Sequence, residues 1–202
     1  MNNGFKEPLK IFFLFLVCFI VTNTINGCAV YDPKRGVLVS GSVQTVDLDN
    51  AALPETLDIM PFRYSGVDLQ AEQNSMFMVG SAFIPVSHTY IFDDVDREYL
   101  RASIIQSLQK AGVDVIESKV YAPDNPVLEV EFLQLGMVSG SWGSTNCIIT
   151  ARLTSRVGNS SASRKVEIEG KDMMSVAGAK NDAIKQLVVE VASFLSGQEQ
   201  ER

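Results

Sequence analysis

Catalysis needs side chains that ionise, attack or ligate, and this chain carries few in useful company. Its one histidine is His88, in Val86-Ser87-His88-Thr89-Tyr90. A single imidazole leaves no second histidine for a metal site, and one lying between two apolar segments reads as structural. A Ser–His pair stays open, but no Gly-x-Ser-x-Gly elbow is present: Gly140-Ser141-Trp142-Gly143 has the wrong spacing. Gly170-Lys171 is followed by Asp172 and lacks the earlier glycine of a phosphate loop. The acidic cluster Asp93, Asp94, Asp96 and Glu98 comes nearest to a cation site. A calcium loop would need glycine where Tyr99 stands, so these residues read as a helix cap and first turn, favoured by the positive end of the dipole. The residues therefore assign no catalytic group, no metal ligands and no cofactor. Trp142, the only tryptophan, sits in a Gly/Ser-rich loop. Aromatics dominate binding hot spots, so its indole either meets a partner or folds back over the sheet edge.

The remaining reactive group is a thiol at the end of an apolar run. Lys6 and Lys10 precede Ile11–Val21, which holds no charge, and the exit reads Ile25-Asn26-Gly27-Cys28. A basic start, an apolar stretch of about 7–15 residues and a small residue at the exit make a secretory signal. The run is short of the roughly 20 apolar residues that span a bilayer as a helix. Ile25-Asn26-Gly27-Cys28 resembles the bacterial lipobox: an aliphatic residue, two small residues and an invariant cysteine. Asn26 departs from the commoner Ala or Ser. The resemblance implies that Cys28 is lipidated on sulfur, becomes the mature N-terminus and is acylated on its amine. By the sorting rule of Gram-negative lipoproteins, Ala29 in place of Asp implies the outer membrane.

Removal of residues 1–27 leaves 175 residues, with 15 basic and 23 acidic side chains, a net charge of −8. That length supports one domain with a sizeable core. The charge argues against nucleic acid, whose phosphates demand clustered Lys and Arg, and against electrostatic docking on anionic lipid. Attachment to a membrane would then rest on acyl chains, at roughly 0.8 kcal/mol per buried CH₂. Cys18 leaves with the signal and Cys28 carries lipid, so Cys147 has no disulfide partner. It falls in an alternating apolar pattern and reads as a small buried hydrophobe.

The elements that would position these residues follow from periodicity. Residues 28–36 read as the lipidated cysteine and a tether, 37–197 as one periplasmic domain and 198–202 as a charged tail. Val37–Leu48 has enough β-branched residues for a strand. Pro61 marks an edge or a strand end after Leu57-Asp58-Ile59, and Met76–Ile84 and Val86–Phe92 are β-prone segments split by Pro85. From Asp93 or Asp94 a helix carries Leu100, Ile104 and Leu108, widened by Ile105 and Ala111, and stops at Gly112. Val113–Ile116 reads as a short strand, Val127–Leu135 as a strand with Leu128, Val130 and Phe132 on one face, and Gly136–Ser144 as a loop. Thr145–Val157 puts Cys147, Ile149, Ala151 and Leu153 on one side. A Gly158-Asn159-Ser160-Ser161 turn leads to a third strand with Val166 and Ile168, where charges of opposite sign would help set the pairing. A last helix carries Ile184, Leu187, Val188, Val191, Ala192 and Leu195 until Gly197. Two amphipathic helices on one face of a largely antiparallel sheet make an α+β two-layer sandwich.

This order of elements resembles small Gram-negative envelope lipoproteins of the YajG type and, more loosely, the lipoprotein domain of curli-secretion proteins. The resemblance covers about the C-terminal 110 residues and rests on pattern, so it transfers no functional residue beyond Cys28. It implies a non-catalytic accessory subunit of envelope assembly or transport, held at the membrane by its lipid and working through contacts with an envelope protein. The alternative is a carrier or sensor of an apolar ligand, a lipid, bound between sheet and helices.

Overall fold

The computed structural model describes residues 29–32, 36–48, 51–79, 82–120, 125–139, 144–172 and 175–199. In chain order the elements are β1 (Ala29–Asp32), β2 (Gly36–Val39), β3 (Thr56–Ile59), β4 (Arg63–Leu69), β5 (Ala71–Val79) and β6 (Ala82–Tyr90). Then come α1 (Asp94–Lys110), β7 (Asp114–Glu117), β8 (Val127–Ser139), β9 (Thr145–Val157), β10 (Ser160–Asp172) and α2 (Val176–Glu199).

The period-two pattern of β9 decides the layering. Cys147, Ile149, Ala151 and Leu153 are all 0% exposed and face the helices, while Arg152 and Arg156 point the other way and pair with Glu131 (2.7 Å) and Glu129 (3.0 Å) of β8. β8, β9 and β10 form the expected antiparallel meander, with Gly158 at φ +55° turning the last hairpin. β8 outruns its expected length. The ladder steps from Phe132–Ala151 to Gln134–Thr150, so Leu133 is an extra residue. This bulge switches the buried set from Leu128, Val130 and Phe132 to Leu135 and Met137. The strand thus continues through Gly136 to Ser139, where the sequence suggested a loop. Gly136 is required there: a Cβ would lie 2.1 Å from the Leu69 carbonyl oxygen, and its φ is +145°.

The sheet is mixed. The order is β10-β9-β8-β3-β7, with β4 also on β8. The two long ladders are antiparallel, whereas β3–β7, β3–β8 and β4–β8 are parallel. β3 ends just before Pro61, as the proline suggested, but lies inside the sheet with Leu57 and Ile59 buried. The β5–β6 hairpin breaks between Val79 and Ala82, so Pro85 lies within β6, opposite Met76, and does not divide the two strands.

Both helices cover one face, α2 on β9 and β10 and α1 against α2 and β7. Asp93 caps α1 and exchanges backbone and carboxylate hydrogen bonds with Asp96. Gly112, at φ +92°, follows its end. The expected stripes, Leu100–Ile104–Leu108 and Ile184–Leu187–Val188–Val191–Ala192–Leu195, are buried against the sheet layer. Gly197 does not stop α2, which runs to Glu199, into the stretch expected to be a tail.

The expected Val37–Leu48 strand is short. Only Gly36–Val39 pairs, with β1, and β1 itself occupies part of the stretch read as a tether. Residues 40–48 continue outside any strand and run along the helices, because the partners for their backbone are side chains.

Candidate functional site

α1 carries three buried polar residues among its apolar ones: Asp96, Ser103 and Ser107. Spaced by seven and then four, they line one side of the helix. The segment after β2 lies along that side. Gly41 N–H donates to Asp96 Oδ1 at 2.7 Å, Gln44 N–H to Ser103 Oγ at 2.8 Å, and Val46 N–H to Ser107 Oγ at 3.0 Å. The match is one of pitch. Two residues of extended chain advance about 6.6 Å, and four residues of helix about 6 Å. From the other helix, Asn181 Oδ1 accepts the Ser42 N–H at 2.8 Å. Farther along, the Lys110 ammonium lies 3.7 Å from Asp47.

The centre of this strap is an ion pair closed to water. Lys180 of α2 is 1% exposed and Asp96 is 0% exposed. The Lys180 ammonium donates to Asp96 Oδ2 and, at 2.6 Å, to the Val39 carbonyl, and lies 5.8 Å from the Phe92 ring centre. Burial raises the Asp96 carboxyl above its ordinary range, against the pull of Lys180 and the Gly41 N–H. A Cβ on Gly41 would come within 2.9 Å of Asn181 Oδ1, so the chain passes here as glycine. One buried pair thus joins α1, α2 and the incoming N-terminal segment.

A groove of about 510 Å³ opens on the other flank of α1, floored by Ile59, Met60, Pro61 and Phe62. Tyr64, 38% exposed, stacks on Phe132 with ring centres 5.0 Å apart. The Arg97 guanidinium lies 4.7 Å from the Tyr64 ring centre and donates through Nη2 to both Asp68 carboxylate oxygens, at 2.9 and 2.8 Å. Burial pushes the Tyr64 phenol up to about 12, the nearby Arg97 charge opposing it. The rim charges answer one another, with Arg101 paired to Glu117 and, at 3.8 Å, to Glu98.

The residues singled out from sequence fare differently. Cys28 and Trp142 lie outside the described residues. His88 is in β6, opposite Gln73. The acidic cluster does not converge: Asp93 caps, Asp94 points to solvent beside Arg97, and Asp96 turns inward to Lys180. Cys147 is buried in β9, and burial pushes its thiol up to about 12. Sequence reasoning missed Lys180, Ser103 and Ser107. Their signal was position: each interrupts an apolar stripe, Lys180 four residues before Ile184 and the two serines beside Ile104 and Leu108.

No family model and no curated protein matches the chain. Among solved structures, a Xanthomonas campestris protein described as DUF330 superposes with a TM-score of 0.52 at 14% identity, over 81% of this chain and 98% of that one. A minor lipoprotein from Acinetobacter baumannii gives 0.38 at 13%, over 72% and 92%, and a lipoprotein from Neisseria meningitidis gives 0.39 at 13%, over 74% and 100%. What the first likeness establishes is the architecture: an α+β fold with a mixed sheet and two helices, shared with a DUF330 protein.

Proposed function

We propose that the chain is a bacterial envelope lipoprotein, anchored through Cys28 to the periplasmic face of the outer membrane, whose domain acts as a non-catalytic accessory module by protein contacts. The strap carries the reading. The chain leaves Cys28, pairs as β1 and β2, and by Val39–Val46 is stapled to both helices through Asp96, Lys180, Ser103, Ser107 and Asn181. A lipid at Cys28 would therefore hold the domain within a short, defined reach of the bilayer, and confinement to a thin layer raises effective concentration, so modest contacts suffice. The groups with reactive potential in this region support a non-catalytic role, since Asp96, Lys180 and Cys147 are all built into the core.

The test follows Cys28. Cells fed radioactive palmitate should label the wild-type chain, and Cys28→Ala should accumulate as an unlabelled precursor. Equal label in the mutant would overturn the anchor. Photoreactive residues flanking Trp142 in intact cells should capture one envelope protein reproducibly, and a specific turnover lost on replacing His88 would overturn the non-catalytic reading.

A further inference from the structure

A sheet edge invites a further strand, and native proteins blunt their edges by shortness, bulges or unanswered charge. Two edges of the six-stranded sheet are blunted in this way. β7 is four residues long, and β4 slips register between Tyr64 and Val67. β10 differs. It runs 13 residues in unbroken register with β9, its only strand partner among the described residues, and contains no proline. Alternate backbone groups of β10 point away from β9. The Lys171 N–H donates to Asp182 Oδ2 at 3.0 Å and the Glu169 carbonyl accepts from Gln186 Nε2 at 3.4 Å, so the odd-numbered residues face outward. The hairpin gives the same parity, since Val157 pairs with Ser160 across the two-residue turn at Gly158-Asn159. Helix α2 thus closes the edge at Lys171 and, by one long bond, at Glu169. Among the described residues nothing closes it at Ser161, Ser163, Lys165 or Glu167, all of which are exposed.

We infer that this edge pairs antiparallel with β10 of a second copy of the chain, joining the two sheets across a two-fold axis at Val166. Charge selects both the occupant and the register. On the solvent face Lys165, Glu167 and Glu169 follow one another as plus, minus, minus. Reversed against itself with Val166 opposite Val166, the strand sets each Lys165 opposite the Glu167 of the other copy. Unlike charges directly opposite favour a strand pair, and like charges oppose it. Within one copy the Lys165 ammonium already lies 2.5 Å from Glu167, so the axis closes a square of alternating charges. Setting Ser163 opposite Glu167 would bring Lys165 against Lys165, and an axis at Arg164 would leave both charges facing serine. A lysine guards an edge while no acid answers it. Here the same strand carries the answer, and each contact is used twice, as a two-fold interface requires.

The paired stretch, Ser163–Glu169 in each copy, is about 20 Å long. Specific interfaces bury on the order of 1,200–2,000 Å², more than one strand pair supplies, so the flanking helix must contribute. Asp182, Gln186 and Val189 of α2 are spaced by four and three and share a face, and the first two reach the edge of β10. Arg164 bonds to Glu190 and Glu169 to Gln186, which puts Val189 level with Val166. Val189 is 49% exposed, and the axis at Val166 brings its two copies together beneath the ladder. The contact lies in the folded domain and does not require a lipid at Cys28.

The experiment sediments the mature chain, purified from cells, in a density-matched detergent, with Lys165→Glu and Glu167→Lys as the variants. Both side chains are exposed, and an exposed ion pair adds little to stability, so circular dichroism and the urea midpoint should match wild type. The wild-type chain should sediment as a dimer at micromolar concentration. Each variant alone sets like charges across the axis, and its dimer dissociation constant should rise about tenfold or more. Mixed in equal amounts, the two variants meet through two unlike pairs, and the mixture should dimerise nearly as well as wild type. That rescue reads the pairing and not the fold. A wild-type chain that stays monomeric overturns the inference. A dimer that both variants leave intact places the contact elsewhere and also overturns it, as does a mixture that dimerises no better than its components.

Discussion

The C-terminal meander shares its sheet with β3 and β4, while the strap before them lies on the helices, and the regions are held by different physics. In β8–β9–β10 each strand pairs with its sequence neighbour, and alternation, reset once at Leu133, chooses the buried face. β1 and β2 pair with each other, but the strap, β3 and β4 meet their partners far along the chain: β3 and β4 add in parallel to β8, and the strap bonds to side chains of both helices. The meander is fixed by apolar burial, the strap by a few polar bonds in which the loss of one atom matters. The comparison teaches that a fold's strongest and most breakable attachments can lie within a few ångströms of one another.

The sharpest way to break this contrast is Lys180→Met. It leaves the Asp96 carboxylate buried without its cation and the Val39 carbonyl without a donor. Removing one partner of a buried pair typically costs about 3–5 kcal/mol, so urea unfolding should shift by that order. The double variant Lys180→Met with Asp96→Asn, which removes the buried charge and keeps an oxygen for the Gly41 N–H, should recover part of the loss. If the single variant unfolds like wild type, the strap is not fastened by this pair.

Legibility from sequence divides along the same line. Helix α1, the meander and α2 were readable because their period is written in consecutive residues: Leu100–Ile104–Leu108, Cys147–Ile149–Ala151–Leu153 and Ile184–Leu187–Val188. Leu133 was not readable as a bulge, because only the approach of β4 shows why Gly66 and Gly136 are needed. A Cβ on Gly66 would lie 1.6 Å from the Leu133 carbonyl oxygen. The strap looked like a strand since its residues favour extended backbone, and nothing local says that its N–H groups end on serine hydroxyls of a helix. Lys180 was visible only as a flaw in an apolar stripe and Asp96 only as an acid of the first helical turn, with no hint that the two meet.

A smaller effect sharpens the comparison within the strap. Ser107→Ala removes the acceptor of the Val46 N–H, and a buried donor left unsatisfied costs about 1–3 kcal/mol. Because the serine supports only the strap, amide exchange at Val46 and Gln44 should accelerate well before that of Ile149 or Leu153 in β9. Equal acceleration everywhere would mean that strap and meander open as one unit.

The smallest effect lies where the two regions touch on the solvent side. Glu131 of β8 accepts from Ser65 Oγ of β4 at 2.7 Å and from Arg152 of β9 at 2.7 Å. The Ser65 hydrogen bond, more than the Arg152 charge, holds its carboxyl below the ordinary 4.5. A carboxylate whose pKa falls on folding adds stability that is present above its ordinary pKa and is lost as pH falls through the lower, folded value. The group is open to solvent, so the gain is slight and is better read by titration than by unfolding. Ser65→Ala should raise the Glu131 carbon-detected NMR titration toward its ordinary midpoint, Arg152 and Arg63 still holding it below, and Arg152→Ala should move it less. The reverse ranking would mean that the meander's own charges, and not the N-terminal strand laid beside it, set the chemistry of this face.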